Sequence, residues 1–351
     1  MSKKVFVGLS GGVDSSVAAL RLIREGYDVT GVFIKVWHPD FLVCNWEQER
    51  LDAMCVAAKL GIPFLTCDAE AEYRDAVAHY FIESYRAGLT PNPDVMCNKE
   101  VKFGAFYRFA RERGADYVAT GHYAQNIKGK DNMEMHRGID TAKDQTYFLW
   151  TLTPEILNHV LFPVGNSTKD TIRAEAMSAG LITAHKPDSQ GVCFLGHIDI
   201  PDFLSHYIDL KEGQVLNENG EIIGTHKGVF VYTIGQRQGF VLSNHNPNRA
   251  PLYVTTKNIT NNTLIVSENA PVLAEKEAIK LTQCVVTANI QVGDILSAQS
   301  RYRQNPFSVA VTGIHDSTMT LVVHNQSEAV ASGQSCVLYR GTQCVGGGII
   351  L

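Results

Sequence analysis

Residues 5–20 read Val5-Phe6-Val7-Gly8-Leu9-Ser10-Gly11-Gly12-Val13-Asp14-Ser15-Ser16-Val17-Ala18-Ala19-Leu20. The apolar run Val5–Val7 predicts a buried strand. Ser10-Gly11-Gly12 predicts a turn that only small residues allow. Asp14-Ser15-Ser16 opens an apolar-periodic run that reads as a helix. A strand, a glycine turn and a helix N-terminus in succession make an anion site. Glycines let backbone N–H groups approach a phosphate, and the helix dipole adds partial positive charge. The hydroxyls of Ser10, Ser15 and Ser16 are further donors. The plain alternative is a serine-capped strand-to-helix turn with no ligand.

Working outward, strands are expected at 3–8, 28–36, 63–67 and 116–120. Helical runs are expected near 14–25, 46–61, 72–87 and 99–113. Gly26, Gly61 and Gly114 stand where helix C-caps belong. Strands alternating with helices predict an α/β fold with a doubly wound parallel sheet. In such a sheet a ligand sits beyond the strand C-terminal ends. Residues 122–139 read as a polar hairpin over that site, followed by helices near 154–159 and 168–180. Beyond residue 205 long helical periods vanish and short β-rich runs take over. These are Val229–Ile234, Leu252–Thr255, Leu264–Val266, Val285–Ala288, Val309–Val311, Met319–Val323 and Ser335–Tyr339. Turn residues such as Asn261-Asn262 and Gly346-Gly347-Gly348 separate them. The expected division is 1–204, 205–270 and 271–351: one α/β domain and two small β-rich domains, the last a β-barrel.

The chain has 351 residues, is 45% hydrophobic and carries a net charge of -5. That is enough for several cores, and the charge gives no sign of a polyanion-binding protein, though a local basic patch is all RNA requires. No apolar run is long enough to span a membrane, and none marks a signal peptide, so a cytoplasmic location without a membrane partner is expected. The eight cysteines are Cys44, Cys55, Cys67, Cys97, Cys193, Cys284, Cys336 and Cys344. None forms a C-x-x-C pair, so no protein metal site is expected, and most thiols are expected to be small buried hydrophobes. Two stand out by their surroundings. Cys97 closes Asn92-Pro93-Asp94-Val95-Met96-Cys97 at an expected helix start, where the dipole and nearby Lys99 would favour thiolate and Asp94 would exchange protons. The competing reading makes Asn92 or Asp94 a helix cap and Cys97 a filler. Cys193 lies in Asp188-Ser189-Gln190-Gly191-Val192-Cys193-Phe194, where a buried strand cysteine is equally compatible.

Residues 8–16 lack the lysine of a Walker A loop and the spacing G-x-G-x-x-G. They resemble the PP-loop of the ATP pyrophosphatases, which split ATP between the α and β phosphates. Together with the two cysteine segments, the chain resembles the tRNA-specific 2-thiouridylases. Gly121-His122-Tyr123-Ala124, Lys143-Asp144-Gln145, Tyr232-Thr233-Ile234-Gly235-Gln236-Arg237, Arg301-Tyr302-Arg303 and Ser332-Gly333-Gln334 extend the likeness over nearly the whole length.

The resemblance implies an enzyme that replaces the 2-oxygen of the wobble uridine (position 34) of tRNA with sulfur. It implies ATP and Mg²⁺ as cofactors, with AMP and pyrophosphate released. It also implies a cysteine desulfurase or sulfur-relay protein as persulfide donor. ATP would lie against Gly8, Leu9, Ser10, Gly11, Gly12, Val13, Asp14, Ser15, the backbone of Ile34, and Gly121. Cys193 would carry the persulfide, Cys97 would be the nucleophile that releases sulfur, and Asp94 the general acid or base. The two cysteines would form an alternate disulfide during turnover. Asn92, Pro93 and Asp94 would surround the target base. His122, Lys143, Asp144, Gln145, Arg301, Tyr302 and Gln334 would contact tRNA. Two branches stay open: direct attack of the persulfide on C2, or attack by sulfide that Cys97 liberates.

Overall fold

The computed structural model describes residues 2–42, 46–188, 191, 193, 195–196, 198–244 and 250–351. Cys44 and Ser189, Gln190, Val192 and Phe194 of the second cysteine segment lie outside the described residues. The expected strands form as β1 (Lys4–Gly8), β2 (Asp28–Lys35), β3 (Phe64–Asp68) and β4 (Tyr117–Ala119). Val5 and Val7 are fully buried because helices cover both faces of this sheet. All pairings are parallel, in the order β3-β2-β1-β4-β7, where β7 is the short strand Val160–Leu161. β7 is two residues long, too short to show as a pattern in the sequence. The chain winds outward from β1 through β2 to β3, then returns to β4 on the other side of β1. The β1/β4 junction is therefore the topological switch point, where a crevice opens at the strand ends.

Helix α1 (Val13–Arg24) follows β1, and α2 (Trp46–Leu60) links β2 to β3. Gly26, Gly61 and Gly114 adopt positive φ after their helices, as expected of C-caps. Two further helices, α3 (70–86) and α4 (93–112), each contain a π-helical stretch, at Tyr73–Ala78 and Cys97–Ala105. Sequence periodicity at 3.6 gave no warning of this wider winding. Helix α5 (Lys169–Ser178) is capped by Thr168, whose side chain accepts from the N–H of Thr171.

The first β-rich unit is a five-stranded sheet in the order 240–242, 222–226, 213–216, 263–267, 253–258. Its core includes Phe81, Ile82 and Tyr85 of α3 packed with Phe203, Leu204, Val231, Tyr232 and Val254. The expected strand Val229–Ile234 is instead a 3₁₀ turn at Val229–Val231, preceded by Gly228 at φ 141. Its apolar residues are buried in that core without joining a ladder.

The last unit is a six-stranded barrel that closes through pairing of Ala278–Val286 with Gln343–Ile350. The triplet 346–348 is not a turn, as expected, but lies within that closing strand. The physical reason is crowding. A Cβ on Gly347 would lie 3.0 Å from the Trp150 ring, and one on Gly348 would lie 2.7 Å from the Cys284 sulfur. The 122–139 hairpin forms as β5 (Ala124–Lys128) and β6 (Met133–Arg137). It does more than cover the site, because β6 pairs with the barrel through His136 and Gln343. Arg137 reinforces the seam by bonding Asp144 at 2.7 Å and Gln299 at 3.1 Å, stacked 3.5 Å from the Tyr339 ring centroid.

Candidate active site at the sheet switch point

The phosphate cradle sits at the C-terminal end of β1. Gly11 has φ +69, and a Cβ there would lie 2.7 Å from the Glu49 carbonyl oxygen, so the turn does require glycine. The Ser10 N–H donates to Ser15 Oγ at 3.3 Å, and the Ser15 and Ser16 hydroxyls donate to the Gly12 carbonyl at 3.2 and 2.7 Å. The first-turn N–H groups of α1, at Val13, Asp14 and Ser15, have no intrahelical carbonyl to bond. Gly121 packs on this turn from β4: a Cβ there would lie 2.6 Å from the Ser15 nitrogen.

β1 ends at Gly8, opposite Val32, while β2 continues to Lys35. Leu9 N–H donates to the Val32 carbonyl. Peptide groups two residues apart point the same way in a strand. The Ile34 backbone therefore faces the gap left by β1, and its side chain is buried.

Asp14 is held by two side chains. The Lys169 ammonium lies 2.8 Å from each carboxylate oxygen, and the Tyr123 hydroxyl donates at 2.8 Å. Neither partner was foreseen. Lys169 carried a legible signal, a basic residue at the first position of a helix, where acids are preferred.

The two cysteines meet. Their sulfurs are 3.3 Å apart, both thiols free, with Cys97 fully buried and Cys193 partly exposed. A disulfide needs about 2.05 Å, so a small approach joins them. The Asp94 carboxylate accepts from the Cys193 N–H at 2.8 Å, and the Tyr73 hydroxyl donates to the Cys193 carbonyl at 2.9 Å. The Cys97 thiol donates to Cys193 and holds that group below its ordinary pKa. Burial opposes the shift, and the Lys102 ammonium adds to it. Burial pushes Cys97 well up, and it keeps the proton. Burial also raises the Asp94 carboxyl, against the opposing pull of the Cys193 N–H and Lys102.

Two expectations about Cys97 are corrected. It is not at a helix start: Asn92 caps α4, accepting from the Val95 N–H at 3.2 Å, and Cys97 lies one turn further in. The positive dipole end is spent at 92–95. Lys99 is not the cation beside it either, since its ammonium is exposed and paired with Glu100 at 3.0 Å. That role falls to Lys102, which sequence reading missed. In a π-helix the i to i+5 winding brings position 102 onto the face of position 97.

Lys102 donates to Nε2 of His122 at 3.4 Å, so His122 carries its proton on Nδ1, which donates to Thr120 Oγ1 at 2.7 Å. Burial and then Lys102 keep the imidazole neutral. His122 is therefore a buried neighbour of the thiols in this state. Asp144 is also buried and accepts from Arg137, the Gly138 and Thr146 N–H groups and the Thr146 hydroxyl. Gln145 bonds both peptide groups of Tyr123, and Lys143 pairs with Asp188 at 2.7 Å. Arg301 donates to the Ile234 carbonyl at 2.8 Å and spans the two β units. The Tyr302 ring packs against Phe148 at a tilt of 47°, with centroids 4.6 Å apart. The loop carrying Gln334 lies against the segment leading into Asn92-Pro93-Asp94, where the Thr90 N–H donates to the Ser332 carbonyl at 2.9 Å.

Family models match in succession: a tRNA methyl transferase HUP domain at 3–197, a tRNA methyl transferase PRC-barrel domain at 201–268 and an aminomethyltransferase beta-barrel domain at 279–350. Among curated proteins, the tRNA-specific 2-thiouridylase MnmA of Enterococcus faecalis is 45% identical over 99% of this chain and 95% of its own length. That of Francisella tularensis is 42% identical over 100% and 99%. A solved 4-thiouridine synthetase–RNA complex with bound ATP shares 20% identity at a TM-score of 0.35 over 58% of this chain and 50% of its own, too slight a likeness to bear on function. With curated relatives of this identity aligned end to end, the chain belongs to the family of tRNA-specific 2-thiouridylases.

Proposed function

We propose that this chain thiolates the wobble uridine of tRNA at C2 in two half-reactions, using ATP at the β1 cradle and sulfur at Cys193. The observation that carries this reading is the 3.3 Å thiol pair, with a carboxylate and an ammonium beside it, next to a phosphate cradle lacking a Walker lysine.

The uridine O2 attacks the α phosphorus of ATP. An O2–P bond forms, the bond to the β phosphate breaks, and pyrophosphate leaves. A poor leaving group becomes AMP. Residues 8–15 support this by offering N–H groups and hydroxyls to the triphosphate. The Ile34 backbone, facing the gap left by β1, suits adenine, and a backbone contact tolerates Ile at this buried position. Mg²⁺ would balance the phosphate charge, with Asp14 a carboxylate within the cradle itself.

Sulfur arrives when the Cys193 thiolate attacks the outer sulfur of a persulfide on a desulfurase or relay protein. The donor thiolate leaves, and Cys193 holds the persulfide. In one branch its outer sulfur attacks C2, AMP departs with the old oxygen, and Cys97 then attacks the Cys193 sulfur. The S–S bond to the base breaks, leaving 2-thiouridine and a Cys97–Cys193 disulfide. In the other, Cys97 acts first and frees hydrosulfide. Both end in the same disulfide, which an external thiol must reduce. Asp94, raised by burial, suits the proton exchanges. The base is proposed to lie by Asn92, Pro93 and Asp94 after leaving the anticodon stack. Lys143, Gln145, Arg301, Tyr302 and Gln334 are proposed to meet the tRNA, with His122 and Asp144 acting from beneath. We also propose the division at 1–204, 205–270 and 271–351 and a cytoplasmic setting. Among the described residues no helix is long and apolar enough to cross a membrane.

The test is a complete reaction: ATP, Mg²⁺, a persulfide donor and unmodified tRNA. One AMP per thiolated uridine is expected. AMP release with no thiolation, under conditions where the persulfide loads Cys193, would overturn the reading.

A further inference from the structure

Asp188 is surrounded by cations. The Lys143 ammonium lies 2.7 Å from one oxygen. Lys169 at 2.8 Å and Arg173 at 2.7 Å reach the other. Lys169 also holds both oxygens of Asp14 in the phosphate cradle. One ammonium thus bridges the cradle to Asp188, which places this cation set one side chain from the proposed phosphate site.

The arrangement runs against local preference. Lys169 is the first residue of α5 and is buried, yet a helix N-terminus favours anions. A buried cation there raises an already positive potential, and Lys143 and Arg173 raise it further. Such a place attracts anionic oxygen strongly. Asp188 supplies one negative charge from within the chain, Asp14 a second, and Asp140, which accepts from the Lys169 N–H at 2.9 Å, a third. The terminal phosphates of a nucleotide carry more charge and more acceptor oxygens than one carboxylate.

We propose that Asp188 is an internal phosphate surrogate. Its carboxylate occupies the cations Lys169 and Lys143, with Arg173 behind them, and yields them to the β and γ phosphates when the nucleotide enters; Lys143, assigned above to the tRNA, would hold phosphate first and meet the tRNA only once pyrophosphate has left. The inference rests on the proposed ATP site. It supplies the cations that residues 8–16 lack and turns Asp188 into a competitor of its own substrate. Arg173 keeps its bonds to the Ala184 and Lys186 carbonyls, at 2.9 and 3.0 Å, and remains as framework.

The experiment is equilibrium binding to the full chain of three probes: ATP, AMP and inorganic tripolyphosphate. Asp188→Asn removes the competing charge and is expected to bind ATP and tripolyphosphate about tenfold more tightly, with AMP unchanged. Lys169→Met is expected to weaken ATP and tripolyphosphate at least about tenfold, again sparing AMP. Lys143→Met leaves Asp188 paired with two cations, so its folding is secure. It is expected to weaken tripolyphosphate several-fold and not AMP. Folded Asp188→Asn that binds ATP no more tightly than the parent overturns the inference. Should that variant unfold, unchanged tripolyphosphate binding by Lys143→Met overturns it. A parent protein that binds no ATP refutes the nucleotide site itself, a separate result.

Discussion

Replacing Lys102 with Met tests what sets the reactivity of Cys193. The ammonium approaches the Cys193 sulfur and favours its thiolate. An opposite charge at such range shifts a pKa by about 1–3 units. Its removal therefore raises the Cys193 pKa, and at neutral pH the thiolate fraction falls about 10- to 1000-fold. Part of that loss is returned, because a more basic thiolate is a better nucleophile, with a Brønsted slope of about 0.4–0.5. The net rate at pH 7 then falls about threefold to sixtyfold. Above both pKa values every thiolate is formed, and the variant reacts faster than the parent by about 3- to 30-fold.

The two pH profiles must therefore cross. Alkylation of Cys193 by iodoacetamide, followed by mass spectrometry of its peptide between pH 5 and about 10, reads them directly, since the free thiol ordinarily titrates inside that window. Lys102→Arg is expected to keep the parent profile. A Lys102→Met profile that lies below the parent at every pH would mean simple misfolding of the pocket. One that superimposes on the parent would mean that the Cys97 hydrogen bond alone lowers the Cys193 pKa. Either result refutes the role given to Lys102.

Other perturbations read other joints. Cys97→Ser should still gain one sulfur atom on Cys193 when exposed to a persulfide donor, visible by intact mass, yet form no disulfide and release no thiolated tRNA. Asp144→Ala should cost about 3 kcal/mol in thermal or denaturant unfolding, because it strips Arg137 and the Gly138 and Thr146 N–H groups of a buried acceptor. A loss confined to tRNA affinity, with stability intact, would make it a direct contact instead. Gly121→Ala should weaken ATP binding about tenfold or more, since its Cβ would displace the Ser15 nitrogen from 2.6 Å. Unaltered nucleotide binding there would show that the cradle tolerates displacement.

The parallel sheet and the cradle were legible because each depends on local sequence. The alternation of apolar strands with amphipathic helices sets the sheet, and Ser10-Gly11-Gly12 sets the turn. What escaped depends on distant packing. Glycines 346–348 look like a turn in sequence, but a strand pressed against Trp150 and Cys284 also demands them. Val229–Val231 has strand-like residues in a 3₁₀ turn because burial against α3 outweighs propensity. Cys97 and Cys193 stood out by their surroundings, but only the resemblance paired them. Their neighbour Lys102 was hidden, since a 3.6-residue period does not put positions 97 and 102 on one face and a π-helix does.

The segment following β4 explains how one crevice serves two chemistries. Gly121 lies against the start of α1, and Tyr123 bonds Asp14 beside the cradle. Between them His122 turns to the opposite side and accepts from Lys102, the cation of the thiol pair. Three consecutive residues thus touch the nucleotide half twice and the sulfur half once. A neutral imidazole suits the middle position: a second cation there would repel Lys102, whereas an acceptor nitrogen holds it in place. Gln145 in turn bonds both peptide groups of Tyr123 and fixes the segment from behind. The block Gly121-His122-Tyr123 therefore sets the spacing between the β1 turn and the thiol pair, which the proposed reaction would use to bring activated oxygen and incoming sulfur together. This spacing rests on contacts within the chain, His122 to Lys102 and Tyr123 to Asp14, which a reading of single sequence words does not reach.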